Sequence, residues 1–443
     1  MLWPCSNRNL ENKERLAALG IAQLRPFQKE ALNTIAKGAD TQLVAPTGSG
    51  KTLAYLLPLV SKLDPALGAC QAMVLVPSRE LALQVTAVWQ SLQTGAKVLA
   101  MYGGHEMAAE TNSLTQMPAL IVGTPGRIAD HFHRKTFGAD QLKVLVLDEF
   151  DKCLSLGFEK DMADIRMALP KKIQQVLVSA TAAVPIPEWL GFWADKIVAS
   201  DDESPADRLA YYEVAAPEKD KLEPLLRLLS VVQPGPVLVF CNHRDAAERT
   251  AAFLKENKVP VGLYHGGMEQ VQRELALIRF RNGTDAFLVA TDLAARGLDI
   301  PELPTVVHYH LPHTATEFIH RNGRTARNSQ EGKVYWLLHE SEKRPDFLPD
   351  PEAFDLPAKP APFPAPLWDT VFVAAGKKQK INKTDIVGFF CKTGKLPAQD
   401  LGLIVVQDNS SFVAVKAKAL STLLPLLAGQ KIKGQKCLVK RAR

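Results

Sequence analysis

The octapeptide Ala45-Pro46-Thr47-Gly48-Ser49-Gly50-Lys51-Thr52 follows the apolar run Leu43-Val44 and precedes a leucine-rich helical segment. Strand, small-residue loop and helix in that order make a phosphate cradle. Backbone N–H groups converge at the helix N-terminus, Lys51 supplies a point charge, and the Thr52 hydroxyl can reach Mg2+. The chain is expected to bind a nucleoside triphosphate. Ala45 stands where the usual pattern has glycine, and a Gly/Ser turn before a helix is the alternative reading.

About a hundred residues on, the buried-strand pattern Lys143–Leu147 ends in Asp148-Glu149-Phe150-Asp151. An acidic pair at the C-terminal end of such a strand is where a nucleotide-hydrolysing sheet holds its metal and its base. Asp148 is read as the Mg2+ ligand, through the ion's water shell, and Glu149 as the group that polarises the attacking water. Taken alone, an acidic loop after a core strand fits as well. His320–Arg327 carries three arginines around a Gly/Thr turn, and Arg324 and Arg327, spaced i, i+3, are candidates for arginine fingers. A basic surface turn is the alternative there.

The 443 residues suit about three domains of roughly 150 each. Residues 1–204 alternate β-runs (TQLVA, AMVLVP, KVLAMY, ALIVGT, KVLVLDE, QVLVSA) with helical segments, the pattern of a covered parallel sheet. Ser200–Pro205 reads as a linker, after which the pattern resumes over 205–340 (GPVLVF, VPVGLYH, AFLVAT, TVVHYHL, GKVYWLL, with helices over 245–257 and 269–281). Residues 341–366 are proline-rich and predict an extended, semi-rigid spacer. Residues 367–443 read β-α-β-β-α-β, with helices over 383–391 and 420–428 and a last strand in CLVKRAR, the order of a ferredoxin-like or RRM-like domain.

Net charge is +6 overall, yet residues 367–443 hold 14 Lys and Arg against 4 Asp, a surplus of +10 that leaves −4 for the rest. Such a segment fits a polyanion, nucleic acid above all, with a solvated lysine face as the alternative. Six scattered cysteines without a C-x-x-C pair suggest neither zinc nor disulfides. With no signal-peptide order at the N-terminus and no apolar stretch near the ~20 residues that span a bilayer, a cytoplasmic protein without membrane contact is expected.

In their order, these motifs resemble those of a DEAD-box ATP-dependent RNA helicase over residues 20–340. LRPFQ ends in Gln28, APTGSGKT follows, then PSRELALQ (77–84), Gly103-Gly104, Thr124-Pro125-Gly126-Arg127, DEFD and Ser179-Ala180-Thr181. VFCNHR, HGGMEQVQR, VATDLAARGLDIP and HRNGRTAR complete the series. The resemblance implies two RecA-like α/β parallel-sheet domains in tandem, ATP and Mg2+ as cofactors, and local opening of RNA duplexes. It implies adenine reading by Gln28, phosphate cradling by Thr47, Gly48, Ser49, Gly50, Lys51 and Thr52, and a further nucleotide contact from Asp299. The RNA backbone would be gripped by Arg79, Gly104, Thr124, Arg127 and Thr291. ATP and RNA would close the two domains so that Arg324 and Arg327 meet the γ-phosphate, while Asp151 would tie DEFD to Ser179-Ala180-Thr181. Departures from the family are Phe150 for alanine, Ser78 for threonine, Asn322 and Ala326. Near the family's adenine-stacking aromatic the chain has Leu10 and Glu11, with Trp3 a possible substitute.

DIVGFF, SFVAVK and AGQKIKGQKCLVKRAR resemble the RNA-binding domain of DbpA-type helicases, a small α+β RRM-like unit. That implies a 23S-type rRNA hairpin and pre-50S particles as partners, large-subunit assembly as the process, and a monomer. SFVAV offers only Phe412 as a stacking aromatic, so Lys431, Lys433 and Lys436 are the candidates for phosphate contact. The rival functions are a DNA-dependent ATPase of repair and an RNA clamp in which Phe150 marks a decayed enzyme.

Overall fold

The computed structural model describes residues 12–17, 19–46, 48–104, 107–180, 185–200, 208–232, 235–292, 303–325 and 331–442. The first six apolar runs form β1 (Thr41–Val44), β2 (Ala72–Leu75), β3 (Val98–Met101), β4 (Leu120–Gly123), β5 (Val144–Leu147) and β6 (Gln174–Ser179). A strand the periodicity does not announce, β7 (Lys196–Ala199), closes one edge; only its Val198 is buried. All pair in parallel, in the order β3-β4-β2-β5-β6-β1-β7. Helices cover both faces, so β2, β4 and β5 are buried throughout and read as continuous apolar runs. Neighbouring residues feed opposite cores: Val74 and Val146 pack with Tyr55 and Trp89, while Leu75 and Leu147 pack with Ile128 and Phe150.

The second sheet holds β8 (Leu209–Ala216), β9 (Val237–Phe240), β10 (Val261–Tyr264), β11 (Phe287–Ala290), β12 (Thr305–His308), β13 (Gly332–His339) and β14 (Glu352–Ala353). It too is parallel, in the order β10-β11-β9-β12-β13-β8-β14. Both are RecA-like sheets. β14 lies in the proline-rich stretch, which turns at Pro345–Leu348 and then runs along this domain. Its apolar residues explain that: Phe354 packs edge-on against Tyr335 (5.2 Å), Phe363 edge-on against Phe287 (5.7 Å), and Phe354 N donates to Glu213 O (2.9 Å). Proline is compatible with such an edge because it gives up no ladder bond the sheet needs.

The last sheet contains β15 (Trp368–Val373), β16 (Leu401–Val406), β17 (Ser411–Lys416) and β20 (Val439–Arg441), ordered β16-β17-β15-β20 and antiparallel, with a hairpin of β18 (Lys431–Ile432) and β19 (Gln435–Lys436) before the final strand. The helix expected over 383–391 is regular only over Lys383–Gly388 and continues as a π-turn, Phe389–Thr393. The second helix is Leu420–Leu427. The outer sheet face is not open: Phe372 and Phe412 pack with Leu275 and Ile278 of the helix Gln270–Arg281. Asn282 Nδ2 donates to Thr370 Oγ1 (3.0 Å), and Thr370 and Thr284 share a hydrogen bond of 2.7 Å.

The chain divides into two compact units, one carrying the first sheet and the other carrying the second and third sheets. Among the described residues no helix is long and apolar enough to cross a membrane.

Candidate functional site

Apart from Gln28, which lies on the helix Pro26–Ala36 ahead of β1, the described motif residues of the first unit lie at the C-terminal ends of its strands or in the loops and first helical turns that follow, where open α/β sheets bind ligands. The β1 loop runs into the helix Lys51–Val60, whose N-cap Gly50 has φ +92° and ψ +31°. The positive φ is what restricts the position to glycine, and a Cβ there would also lie 2.4 Å from Gln28 Nε2, displacing that amide. Gln28, 5% exposed, accepts from Arg25 N (2.9 Å) and donates to Gly50 O (3.1 Å). Its amide keeps a second hydrogen and a second lone pair for a base edge. Lys51 Nζ donates to Ala45 O (2.6 Å) and Pro46 O (3.0 Å), so its ammonium lies within the loop. Thr52 follows in the first turn, with Gly48 and Ser49 preceding.

Asp148, 3% exposed, sits just past β5. Its Oδ2 accepts from Tyr55 OH (2.7 Å), and its Oδ1 from Glu149 N (2.9 Å). Burial pushes its carboxyl above the usual range, against the opposing pull of the Tyr55 hydroxyl and the Lys51 charge. Tyr55 is one turn beyond Lys51 on the same helix; the sequence places it there but gives no sign that it meets Asp148. Glu149 adopts φ +47° and ψ +48°, turning the chain into the helix Phe150–Ser155. Phe150, 1% exposed, fills the core beside Leu147 and Cys153, so the departure from alanine alters packing and leaves the acidic pair in place. Burial also raises the Asp151 carboxyl. Thr47, Thr181, the adenine-stacking candidate Trp3, and Leu10 and Glu11 at the family's aromatic position lie outside the described residues.

Arg79 begins the helix after β2, behind the N-cap Ser78, and its guanidinium lies 4.5 Å over the Tyr102 ring. Gly104, φ +96°, follows β3. Thr124 stands at the N-cap position of the helix Pro125–His133 and donates its N–H to Met101 O (3.0 Å). Arg127 Nε donates to Glu110 Oε2 (2.6 Å). The fold thus brings Arg79, Gly104, Thr124 and Arg127 to neighbouring strand ends; Glu110, on the helix Met107–Ser113, bonds Arg127 and the Tyr102 amide and carried no signal in the sequence.

In the second unit Arg321 has 0% side-chain exposure and spends its fork internally. Nε and Nη2 hold Asp292 (2.6 and 2.9 Å), Nη1 donates to His310 O (2.9 Å), and Nη2 reaches Asn242 Oδ1 (2.8 Å). Arg321, the arginine of this cluster not picked as a finger, is therefore a structural member, a role its position in the sequence did not show. Arg324 is 3% exposed, its carbonyl accepting from Leu303 N (3.1 Å), and Thr291 N donates to Tyr264 O (3.2 Å). Arg327, Asp299 and most of the expected linker after Ser200 lie outside the described residues.

In the C-terminal domain Lys431 and Lys436 pair across β18 and β19 and are exposed. Lys433, φ +50° at the hairpin turn, binds Asp385 Oδ2 (2.8 Å) and Lys380 O (2.8 Å). That ties the hairpin to the lysine-rich turn Lys377–Lys380, so Lys433 has a structural task the sequence did not show.

Family models match three segments: DEAD/DEAH box helicase over residues 25–188, helicase conserved C-terminal domain over 220–329, and DbpA RNA binding domain over 370–441. The chain is 34% identical to the ATP-dependent RNA helicase DbpA of Escherichia coli, covering 96% of each. It is 35% identical to the ATP-dependent RNA helicase CshA of Listeria monocytogenes over 80% of this chain and 68% of that one. Among solved structures, S. cerevisiae Dbp5 bound to RNA and ADP BeF3 aligns with a TM-score of 0.65 and 26% identity, over 75% of this chain and 88% of that one.

Proposed function

The chain belongs to the DEAD-box ATP-dependent RNA helicases of the DbpA type, and on that premise we propose that it remodels RNA duplexes during large ribosomal subunit assembly, as a cytoplasmic monomer recruited by a 23S-type rRNA hairpin in pre-50S particles. The match to the DbpA relative along 96% of both chains, C-terminal domain included, carries this reading. The TPGR element and that domain weigh against a DNA repair ATPase, and the retained Lys51, Asp148, Glu149 and Arg324 against a decayed clamp.

Gly48, Ser49, Gly50, Lys51 and Thr52, with Thr47, cradle the phosphates, and Gln28 reads the adenine edge. The Thr52 hydroxyl and Asp148 carboxylate are hard oxygen donors that suit Mg2+, which when bound neutralises phosphate charge. Tyr55 steadies Asp148, and Glu149 takes the proton of the attacking water. Arg324 and Arg327 supply positive charge to the transferred phosphoryl group, with Asp299 a further nucleotide contact. Arg79, Gly104, Thr124, Arg127 and Thr291 hold the sugar-phosphate backbone, which favours RNA through its 2′-hydroxyls without reading sequence.

With Phe372 and Phe412 packed on the helix Gln270–Arg281, base stacking on the sheet is not the route to the hairpin. The basic surface of Lys377, Lys378, Lys431 and Lys436 is the alternative. Replacing Lys431 and Lys436 together by Gln in the full chain is expected to weaken the preference for an rRNA hairpin and to lower the salt slope of RNA binding by roughly 0.7–0.9 per lost phosphate contact. Binding curves at several salt concentrations check this. An unchanged slope would remove these lysines from the interface.

A further inference from the structure

Next to Arg127 and the Tyr102 amide lies a buried polar cluster that the ATPase site does not use. Glu110, with 3% side-chain exposure, accepts at Oε2 from Arg127 Nε (2.6 Å) and from His131 Nε2 (2.7 Å), and His131 is fully buried. Glu110 Oε1 accepts from Tyr102 N (3.2 Å), immediately before Gly103-Gly104, and the Tyr102 ring lies under Arg79. His131 Nδ1 is 2.7 Å from Thr136 Oγ1, so the far side of the imidazole is held as well. Burial alone would push the Glu110 carboxyl up, but hydrogen bonds from His131 and Arg127 outweigh it and the group is held below its ordinary value, that is, ionised. A carboxylate only accepts, so each of the three groups must point a hydrogen at it. Fixing Nε of a planar guanidinium fixes the plane in which its other N–H groups project.

We propose that Glu110 is a positioning residue for RNA binding, orienting Arg127 through its Nε so that its guanidinium meets the RNA backbone in one geometry. This rests on the reading of Arg127 as an RNA contact, and the test separates the two. A purely structural Glu110 would set melting temperature; a positioning one sets RNA affinity through Arg127.

The discriminating variant is Glu110→Gln in the full chain. Its amide oxygen can still accept from Tyr102 N, while its NH2 turns a donor toward Arg127 and His131. Equilibrium binding of a fluorescent single-stranded RNA, with a non-hydrolysable ATP analogue, is measured for E110Q, R127A, the double variant and R127K, alongside thermal unfolding and the RNA dependence of ATPase. Expected are losses of RNA affinity of about tenfold or more for E110Q and for R127A, the scale of a lost hydrogen bond to a charged group. The double variant should bind no worse than R127A, and half-saturating RNA should rise more than kcat falls. R127K, which keeps charge without the oriented plane, should bind as poorly as R127A, and this arm decides the matter even if E110Q fails to fold. Normal RNA binding by R127A would overturn the underlying reading. With R127A impaired, wild-type affinity in E110Q or R127K, or multiplying losses in the double variant, would overturn the role of Glu110.

Discussion

Replacing Glu149 by Gln is expected to slow RNA-stimulated ATP hydrolysis by about 10²–10⁴-fold, the usual contribution of a positioned general base, while ATP binding persists. The structure supports so selective a loss. Glu149 turns the chain at the end of β5 with its backbone, its N–H donating to Asp148 Oδ1 at 2.9 Å, and Gln preserves that backbone contact. Asp148 keeps Tyr55, and Lys51 stays within its loop. Single-turnover hydrolysis together with fluorescent-nucleotide affinity separates the two effects. Wild-type turnover would show that Glu149 is not the base, and lost nucleotide affinity would show that it holds the ligand instead.

The second large effect sets two arginines of one motif against each other. Arg321→Ala strips a fully buried cation from Asp292 and leaves Asn242 and the His310 carbonyl without their donor. Removing one partner of a buried ion pair costs about 3–5 kcal/mol, and the lower end applies because Asp292 keeps 22% exposure. Arg324→Ala is expected to lower hydrolysis by about 10³-fold, the scale of a lost arginine finger. Thermal unfolding and ATPase measured on both variants test the division. The same stability loss with active ATPase in Arg324→Ala would make it structural like Arg321.

The central strands and the phosphate loop were legible because each is a local pattern: strands buried on both faces are continuous apolar runs, and a phosphate cradle is eight consecutive residues. Edge strands were not. β7 buries a single side chain, and β14 is a two-residue pairing within a stretch whose prolines announce extension but not the surface it lies on. The prolines mark a break in the α/β pattern over residues 341–366; Phe354 and Phe363 decide where that stretch sits, and only the folded sheet offers them Tyr335 and Phe287.

The same divide runs through the site. Lys51, Asp148 and Glu149 were visible from spacing, whereas Tyr55 meets Asp148 across 93 residues and Glu110 meets Arg127 only because β3 and β4 are neighbours. Among His320–Arg327, composition showed three arginines but not that Arg321 is consumed by Asp292, Asn242 and His310. Phe412 was visible as a lone aromatic on its strand; that it faces Ile278 and not a base depended on the docking of the third sheet onto the second domain.

Phosphate release from ATP by the full chain, measured without nucleic acid, with an rRNA hairpin fragment, with an unrelated RNA of equal length and with single-stranded DNA, tests the account most directly. The predicted result is hydrolysis that depends on RNA, is stimulated most by the rRNA hairpin and is not stimulated by DNA. Equal stimulation by both RNAs would remove the rRNA-targeting proposal alone. Hydrolysis indifferent to RNA, or driven equally by DNA, would contradict the assignment of this chain's ATP site to RNA remodelling.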